Sequence, residues 1–275
     1  MYVCATPIGN LDDMSPRAAA VLAGAHLVLA EDTRRLRQLA SRYPVGGRVL
    51  SCHAHNEKAR AQEALVALTG QQVVALVTDA GTPGLADPGA HVVAAAAAAG
   101  FNVIPIPGPS AVMAALSVSG FPCPSFRFLG FFPRQKKEQS AVVELLNLDD
   151  TVAVFFEAPG RINATLTLLA GHFPQRPVLV AREMTKQFET YWRGSLAEVA
   201  EKLAGIAPRG EYTVVLGLQA GGDADPAEPI PAPLLRAEVQ LLVEGGLDEL
   251  EAIRRVARGH GLARQAVYRV IRGGR

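Results

Sequence analysis

The alternation of apolar strands with helical segments in the first half of the chain limits its fold most strongly. The run 73–78 is almost entirely apolar, and the shorter runs 2–5, 26–30 and 102–106 are each followed by a helical pattern. Strands that are buried on both faces form continuous apolar runs, and parallel strands require crossover connections. The pattern therefore predicts a mostly parallel α/β sheet with helices on both faces.

Segments rich in glycine and proline divide the chain of 275 residues. We predict a first α/β domain at 1–119 and a second, with an antiparallel component, at 120–221. A linker is predicted at 222–233. The last segment, 234–275, favours short helices joined by glycine turns, a layout similar to a helix-turn-helix.

Composition argues against several classes of protein. The formal net charge is only +1, so the chain as a whole lacks the basic character typical of nucleic-acid binding, although 251–275 carries seven arginines against one acid. Three widely spaced cysteines are typical of reduced thiols in a cytosolic protein. The first residues lack the pattern of a secretory signal, and the longest apolar run is too short to span a bilayer. These features predict a cytoplasmic protein without a membrane segment.

Four loops that follow predicted strands are candidates for a ligand pocket, because ligands bind beyond the carboxyl ends of strands in open α/β sheets. They are 6–10, 31–34, 79–83 and 107–111. No Gly-x-Gly-x-x-Gly follows a strand and no Gly-x4-Gly-Lys-Ser/Thr is present. The pocket is therefore neither an ordinary dinucleotide site nor a phosphate-binding P-loop.

The densest polar cluster is His53-Ala54-His55-Asn56-Glu57. A zinc site would require further cysteine or histidine ligands, and no complementary pair occurs elsewhere in the sequence. We therefore predict no metal site, and we expect this cluster to line a substrate cleft or to cap the helix that follows.

Eight short motifs occur in an order that resembles one family over essentially the whole chain. Together they are similar to the bacterial small-subunit ribosomal RNA (cytidine-2′-O)-methyltransferases of the tetrapyrrole methylase superfamily. One departure is Gly160, which stands where the family carries histidine, so no catalytic role is expected at that position. The motifs lie at 6–11, 30–34, 53–57, 79–83, 87–89, 107–109, 181–186 and 210–211.

The resemblance implies two α/β domains of the tetrapyrrole methylase type with S-adenosylmethionine in the cleft between them. It also implies a homodimer and methyl transfer to the ribose 2′-hydroxyl of a cytidine in the decoding region of 16S rRNA. The cofactor-binding residues carried over by position are Pro7, Asp79, Ala80, Gly81, Thr82, Ser110, Ala111, Phe156, Met184 and Tyr212.

A ribose hydroxyl is a poor nucleophile while it holds its proton, so we expect a general base or a cation that stabilises the forming alkoxide. Each candidate also has a structural explanation, such as an ion pair between the acids at 31–32 and the neighbouring arginines. The candidates are Glu31, Asp32, His53, His55, Glu57, Glu183 and Lys186.

RNA binding requires contacts to phosphates, and three groups of basic residues are candidates for them. Solvated helix faces explain any one group equally well. Phe131 and Phe132 could stack an unpaired base, although burial in the core is the stronger expectation. The basic candidates are Arg34, Arg35, Arg37, Arg134, Lys136, Lys137, Arg254, Arg255, Arg258, Arg264 and Arg269.

Two other functions remain open from the residues. A small-molecule tetrapyrrole methyltransferase could use the same fold, and a non-enzymatic RNA-binding or ribosome assembly protein could use the basic helices. The C-terminal arginines and the His-x-His-Asn-Glu segment favour RNA over a porphyrinoid. The four strand-end loops favour an enzyme over a protein that only binds.

Overall fold

A computed structural model describes residues 1–148, 151–218, 230–260, 262 and 264–272. Within these ranges the chain forms two five-stranded sheets and a C-terminal group of three helices. The predicted α/β class with a helical C-terminal part is confirmed. The exact domain boundaries stay predictions, and most of the predicted linker 222–233 lies outside the described residues.

The first sheet is entirely parallel, in the strand order β3-β2-β4-β1-β5. Its strands are β1 (Tyr2–Cys4), β2 (Leu27–Ala30), β3 (Arg48–Ser51), β4 (Val74–Val77) and β5 (Ile104–Ile106). The helices of this half are α1 (Pro16–Ala23), α2 (Thr33–Ala40), α3 (Glu57–Thr69), α4 (Ala90–Ala98) and α5 (Ala111–Ser117).

Helices cover both faces of this sheet, as the apolar strands predict. In β2, Leu27 and Leu29 pack into a core with α3 and α4, whereas Val28 and Ala30 pack into a separate core with α1 and α2. Successive side chains of a strand point to opposite faces, so both faces must be apolar to be buried. All four strand residues are at most 5% exposed.

The second sheet is mixed, in the order β6-β7-β10-β8-β9, and only the β6–β7 pair is parallel. Its strands are β6 (Phe126–Phe131), β7 (Val152–Glu157), β8 (Pro177–Arg182), β9 (Thr190–Ser195) and β10 (Tyr212–Leu216). Its helices are α6 (Lys136–Leu148), α7 (Ile162–His172) and α8 (Leu196–Ala204). The aromatic-containing run 188–192 predicts a strand, but β9 begins two residues later, at Thr190. A turn between Lys186 and Glu189, closed by the Glu189 N–H on the Lys186 carbonyl at 3.1 Å, delays its start.

The C-terminal helices are α9 (Ala232–Glu244), α10 (Glu249–Gly259) and α11 (Arg264–Arg272). They share a small apolar core of their own that includes Leu235, Ile253 and Val267. In the described part of the chain, each helix is too short or too polar to cross a membrane.

Candidate functional site

Three loops at the carboxyl edge of the first sheet are joined by hydrogen bonds. Thr6, after β1, exchanges two backbone hydrogen bonds with Gly81, after β4, at 2.9 and 3.0 Å. The hydroxyl of Thr82 donates to the carbonyl of Pro109, after β5, at 3.2 Å. Because parallel strands end at the same edge, loops that are distant in sequence form one surface there.

The second half of the chain meets this surface through the segment 183–186. A Cβ atom on Gly9 would lie 2.6 Å from Lys186 Cγ and 3.0 Å from the carbonyl oxygen of Met184, so only glycine permits this approach. Glu183 and Thr185 have φ angles of 53° and 65°, a conformation that is uncommon for residues with side chains. Such strained positions cluster at ligand sites, and here they flank Met184.

A cleft of about 460 Å³ lies between the two α/β units. This volume falls within the range of roughly 300–1,000 Å³ that small-molecule sites occupy. Of the ten predicted cofactor residues, Pro7 does not line this cleft but an adjoining recess of about 170 Å³. Nine of the ten predicted cofactor residues line the main cleft: Asp79, Ala80, Gly81, Thr82, Ser110, Ala111, Phe156, Met184 and Tyr212.

The cleft is strongly acidic. Among the described residues that line it, Arg35 is the only basic side chain, and it lies 3.4 Å from a carboxylate oxygen of Asp79. Within the described ranges, Glu31 and Asp87 have no ion-pair partner, whereas the other carboxylates do. The acidic residues of the lining are Glu31, Asp79, Asp87, Glu157, Glu183 and Glu211.

Glu31, Asp79 and Asp87 repel one another at one end of the cleft. The hydroxyl of Thr78 donates to Glu31 Oε2 at 2.6 Å. Burial, with the neighbouring charge of Glu31, raises the pKa of Asp87 to about 6. The same two causes raise the pKa of Asp79. Asp87 therefore exchanges its proton close to neutral pH, which suits a general base.

Three predicted catalytic side chains, those of Asp32, His53 and His55, lie apart from this acidic end. Asp32 caps α2, and its salt bridge and hydrogen bonds with the exposed Arg34 lower the pKa of Asp32 to about 2. His53 and His55 are exposed on the loop before α3 and are not part of the cleft lining. In that loop the Asn56 side chain does not cap α3, because it accepts from the His53 N–H at 2.8 Å.

Glu183 and Lys186 form an ion-pair network beneath the cleft. Lys186 Nζ lies 2.8 Å from Glu183 Oε1 and 3.0 Å from Glu211 Oε2. The hydrogen bonds from Lys186 and from the Glu211 N–H lower the pKa of Glu183 against its partial burial. Both carboxylates are therefore ion-paired with Lys186, which lines the adjoining recess.

Glu57, another predicted catalytic residue, is buried and anchors the loop that carries Asp87. One of its carboxylate oxygens accepts from the N–H groups of Gly89 and His91 at 2.7 and 2.8 Å. These are N–H groups at the start of α4, whose own N-terminal residue provides no side-chain cap. Its contacts are those of a structural cap.

We expect Glu57→Ala to lower the free energy of unfolding by roughly 2–3 kcal/mol, because two N–H groups lose their acceptor. Glu63→Ala, on the same helix, removes only the partly solvent-exposed ion pairs with Arg48 and Arg60 and should cost about 1 kcal/mol or less. Urea denaturation measures both. Unchanged stability with a large loss of turnover in Glu57→Ala would instead make Glu57 a catalytic candidate.

The predicted RNA-binding residues lie at different places. Arg34 and Arg37 are exposed on α2, whereas Arg35 lines the cleft. The group Arg134, Lys136 and Lys137 is exposed directly after β6. At the C-terminus Arg254, Arg255 and Arg269 are exposed, and the predictions for the side chains of Arg258 and Arg264 lie outside the described part of the structure.

The sequence profile of the tetrapyrrole (corrin/porphyrin) methylases matches residues 1–200. The chain belongs to the tetrapyrrole methylase family. Two relatives are both named ribosomal RNA small subunit methyltransferase I. The protein from Synechocystis is 38% identical and the match covers 98% of this chain and 96% of the relative. The protein from Neisseria meningitidis is 44% identical, with 78% of this chain and 75% of the relative covered.

A solved tetrapyrrole methylase shares the fold. The uroporphyrin-III C-methyltransferase from Thermus thermophilus, complexed with S-adenosylhomocysteine, superposes with a TM-score of 0.55 at 19% identity. The superposition covers 78% of this chain and 96% of that enzyme. At this identity the similarity establishes the fold alone.

Several residues of this methylase cleft are missing from the sequence-based site prediction. Asp87 and Glu211 belong to motifs that carry the family resemblance, so a signal was present, but motif membership does not show which side chain faces a cavity. Arg35 is predicted only as an RNA contact, because a run of charged residues on a helix does not reveal which of them faces the cleft.

Gly160, the departure from the family pattern, is exposed, and a Cβ added there would meet nothing within 4 Å.

Proposed function

We propose that this protein is an S-adenosylmethionine-dependent methyltransferase that methylates the ribose 2′-hydroxyl of a cytidine in 16S ribosomal RNA. The observation that carries the proposal is the match to a ribosomal RNA small subunit methyltransferase I over 98% of the chain. That match extends through the three C-terminal helices, which lie beyond the residues 1–200 that the family profile covers.

The cleft fits the proposed methyl donor by charge. S-adenosylmethionine carries a sulfonium and an ammonium group, and an acidic cleft attracts a cation and repels phosphorylated cofactors. Gly81 has a φ angle of 84°, a backbone conformation that favours glycine. This turn after β4 places Ala80 and Thr82 in the lining of the cleft. The apolar side chains of Met184 and Phe156 line the cleft and suit the adenine ring of the donor.

The residues would divide the work of the reaction as follows. When bound, the donor supplies an activated methyl group, so the protein has to position the ribose and accept one proton. We assign the proton to Asp87, whose pKa near 6 leaves it mostly ionised at neutral pH. The charge of Glu31, which accepts a hydrogen bond from the Thr78 hydroxyl, contributes to this raised pKa. After the transfer, the protonated carboxyl group returns its proton to water.

A thermal shift measurement tests the cofactor assignment. S-adenosylhomocysteine at 100 times its Kd should stabilise the folded protein by about 2.7 kcal/mol. No shift at high concentration of either S-adenosylmethionine or its demethylated product would contradict the methyltransferase proposal and favour an RNA-binding or assembly protein.

The substrate is tested with a labelled methyl group. Small ribosomal subunits, naked 16S rRNA and porphyrinoid precursors are incubated separately with the enzyme and labelled donor. Label in the ribose of a cytidine supports the proposal, whereas label only in a porphyrinoid would support the small-molecule alternative.

The cellular setting follows from this substrate. Because small ribosomal subunits are the proposed partner, we place the protein in the cytoplasm. A homodimer, which the family resemblance implies, belongs to the same proposal, and light scattering coupled to size-exclusion chromatography measures it.

A further inference from the structure

Phe131 stands at the end of β6 with 60% of its surface exposed, although its neighbour Phe132 is buried. The expectation that both rings are buried is therefore wrong for Phe131. An exposed aromatic ring beside a ligand cleft requires a cause in the local backbone.

A β-bulge turns this ring toward the cleft. The pairing of β6 with β7 shifts by one residue between Phe128 and Phe131, and Gly130 takes a φ angle of 66°. In a regular strand, residues three apart point to opposite faces. Here the extra residue allows both Phe128 and Phe131 to contact Phe156 edge-to-face, with ring centroids 5.1 and 5.6 Å apart. Bulges often redirect a side chain next to an active site.

Hydrogen bonds from a side chain fix the backbone that follows Phe131. The guanidinium of Arg161 donates to the carbonyls of Phe132 and Pro133 at 2.7 and 2.8 Å. The same group lies 3.1 Å from the fully buried carboxylate of Glu157. Phe131 is therefore an exposed ring on a fixed backbone, and little ordering would be required when a flat ligand stacks on it.

The surroundings of Phe131 are basic on the side away from the acidic cleft. The ring lines both the cleft and a neighbouring groove of about 380 Å³ that also contains Arg134 and Glu138. Lys136 and Lys137, exposed at the start of α6, follow directly in the chain. An aromatic ring next to a positively charged path is the arrangement that binds an unpaired base together with its backbone phosphates.

We propose that Phe131 is a stacking platform for an unpaired nucleobase of the RNA substrate and that Arg134, Lys136 and Lys137 contact the adjoining phosphates. This inference rests on the proposed function. The stacked base holds the target ribose at the mouth of the cleft, where Phe131 forms the wall shared with the groove.

The test compares Phe131→Ala with Phe131→Tyr and with Phe126→Ala. Phe126 is also an exposed phenylalanine of β6 but lies outside the linings of both the cleft and the groove, so it is a matched control. Each variant is assayed for the KM of small ribosomal subunits that lack the methyl group. The Kd of S-adenosylhomocysteine is measured by calorimetry without RNA, which also shows that each variant is folded.

We expect Phe131→Ala to raise the KM for the subunit roughly 5- to 150-fold, the range for loss of one stacked base. Phe131→Tyr and Phe126→Ala should stay within about two-fold of the wild type, and the Kd of S-adenosylhomocysteine should not change in any variant.

Other results have distinct meanings. An unchanged KM in Phe131→Ala, with a wild-type enzyme that methylates the subunit, would overturn the stacking inference alone. A higher Kd for S-adenosylhomocysteine in Phe131→Ala, with an unchanged KM for the subunit, would instead assign the ring to cofactor binding. Failure of the wild type to bind S-adenosylhomocysteine or to methylate the subunit would overturn the proposed function itself.

Discussion

Ala111→Phe is expected to weaken binding of S-adenosylhomocysteine by roughly 100-fold or more, because the new ring would project into the cleft and clash with any occupant. Ala111 is the first residue of α5, is half-buried and lines the cleft. The fold should tolerate the larger side chain, because Ala111 lies at the edge of the core and also lines the open cleft. Calorimetry measures the affinity, and thermal unfolding without ligand measures the stability.

Met113→Phe provides the matched control for this prediction. Met113 lies two residues further along α5, is 55% exposed and is not part of the cleft lining. This variant should bind S-adenosylhomocysteine like the wild type. Equal affinities of Ala111→Phe and the wild type would show that the ligand binds elsewhere and would remove the proposed function of the cleft.

Asp87→Asn is expected to lower kcat by roughly 100- to 10,000-fold, the usual contribution of a general base. Binding of S-adenosylhomocysteine should be retained, because the amide has nearly the shape of the carboxyl group. Single-turnover methylation of small ribosomal subunits separates the chemical step from product release. Activity close to that of the wild type would show that Asp87 is not the base.

The pH dependence distinguishes Asp87 from its neighbour Glu31. A base with a pKa of about 6 is ionised above that pH, so the wild-type rate should rise between about pH 5 and 7 and then level off. The negative charge of Glu31 contributes to the raised pKa of Asp87, so Glu31→Gln should move this rise to lower pH while preserving activity at pH 8. Loss of activity in Glu31→Gln at every pH, with Asp87→Asn active, would assign the base to Glu31.

The same carboxyl group should affect stability in the opposite direction to activity. The pKa of Asp87 is about 6 in the folded protein against an ordinary value of 3.8, so the folded state holds this proton more tightly. Its contribution to stability is therefore lost as pH rises from about 4 through 6. Above pH 6, Asp87→Asn should be more stable than the wild type by about 1 kcal/mol, after allowance for solvent screening. Urea denaturation at pH 5 and pH 8 measures the difference.

Local patterns allowed much of the first sheet and of the cleft lining to be predicted. An apolar strand such as β4 must be covered on both faces whatever its partners are, and a strand-end loop such as 79–83 must lie at one edge of a parallel sheet. The motif at 181–186 also pointed to the second half of the chain, where Met184 lines the cleft. The roles of these residues remain predictions.

The rest could not be predicted, because it depends on contacts between segments distant in sequence. Glu57 is a candidate general base in the sequence, but its carboxylate accepts hydrogen bonds from N–H groups 32 and 34 residues away. The β6 bulge that exposes Phe131 depends on pairing with β7, and the hydropathy of the segment favours burial for both adjacent rings.

The sequence alone determined the class of fold, the family and the set of strand-end loops, because these follow from local periodicity and from motifs that can be read along one chain. Only the tertiary structure decided which carboxyl groups share one dielectric environment. Asp87 acquires its raised pKa from burial and from Glu31, a residue on a different strand-end loop. Electrostatic coupling depends on distance in space and on solvent exclusion, and neither quantity is contained in the order of the residues.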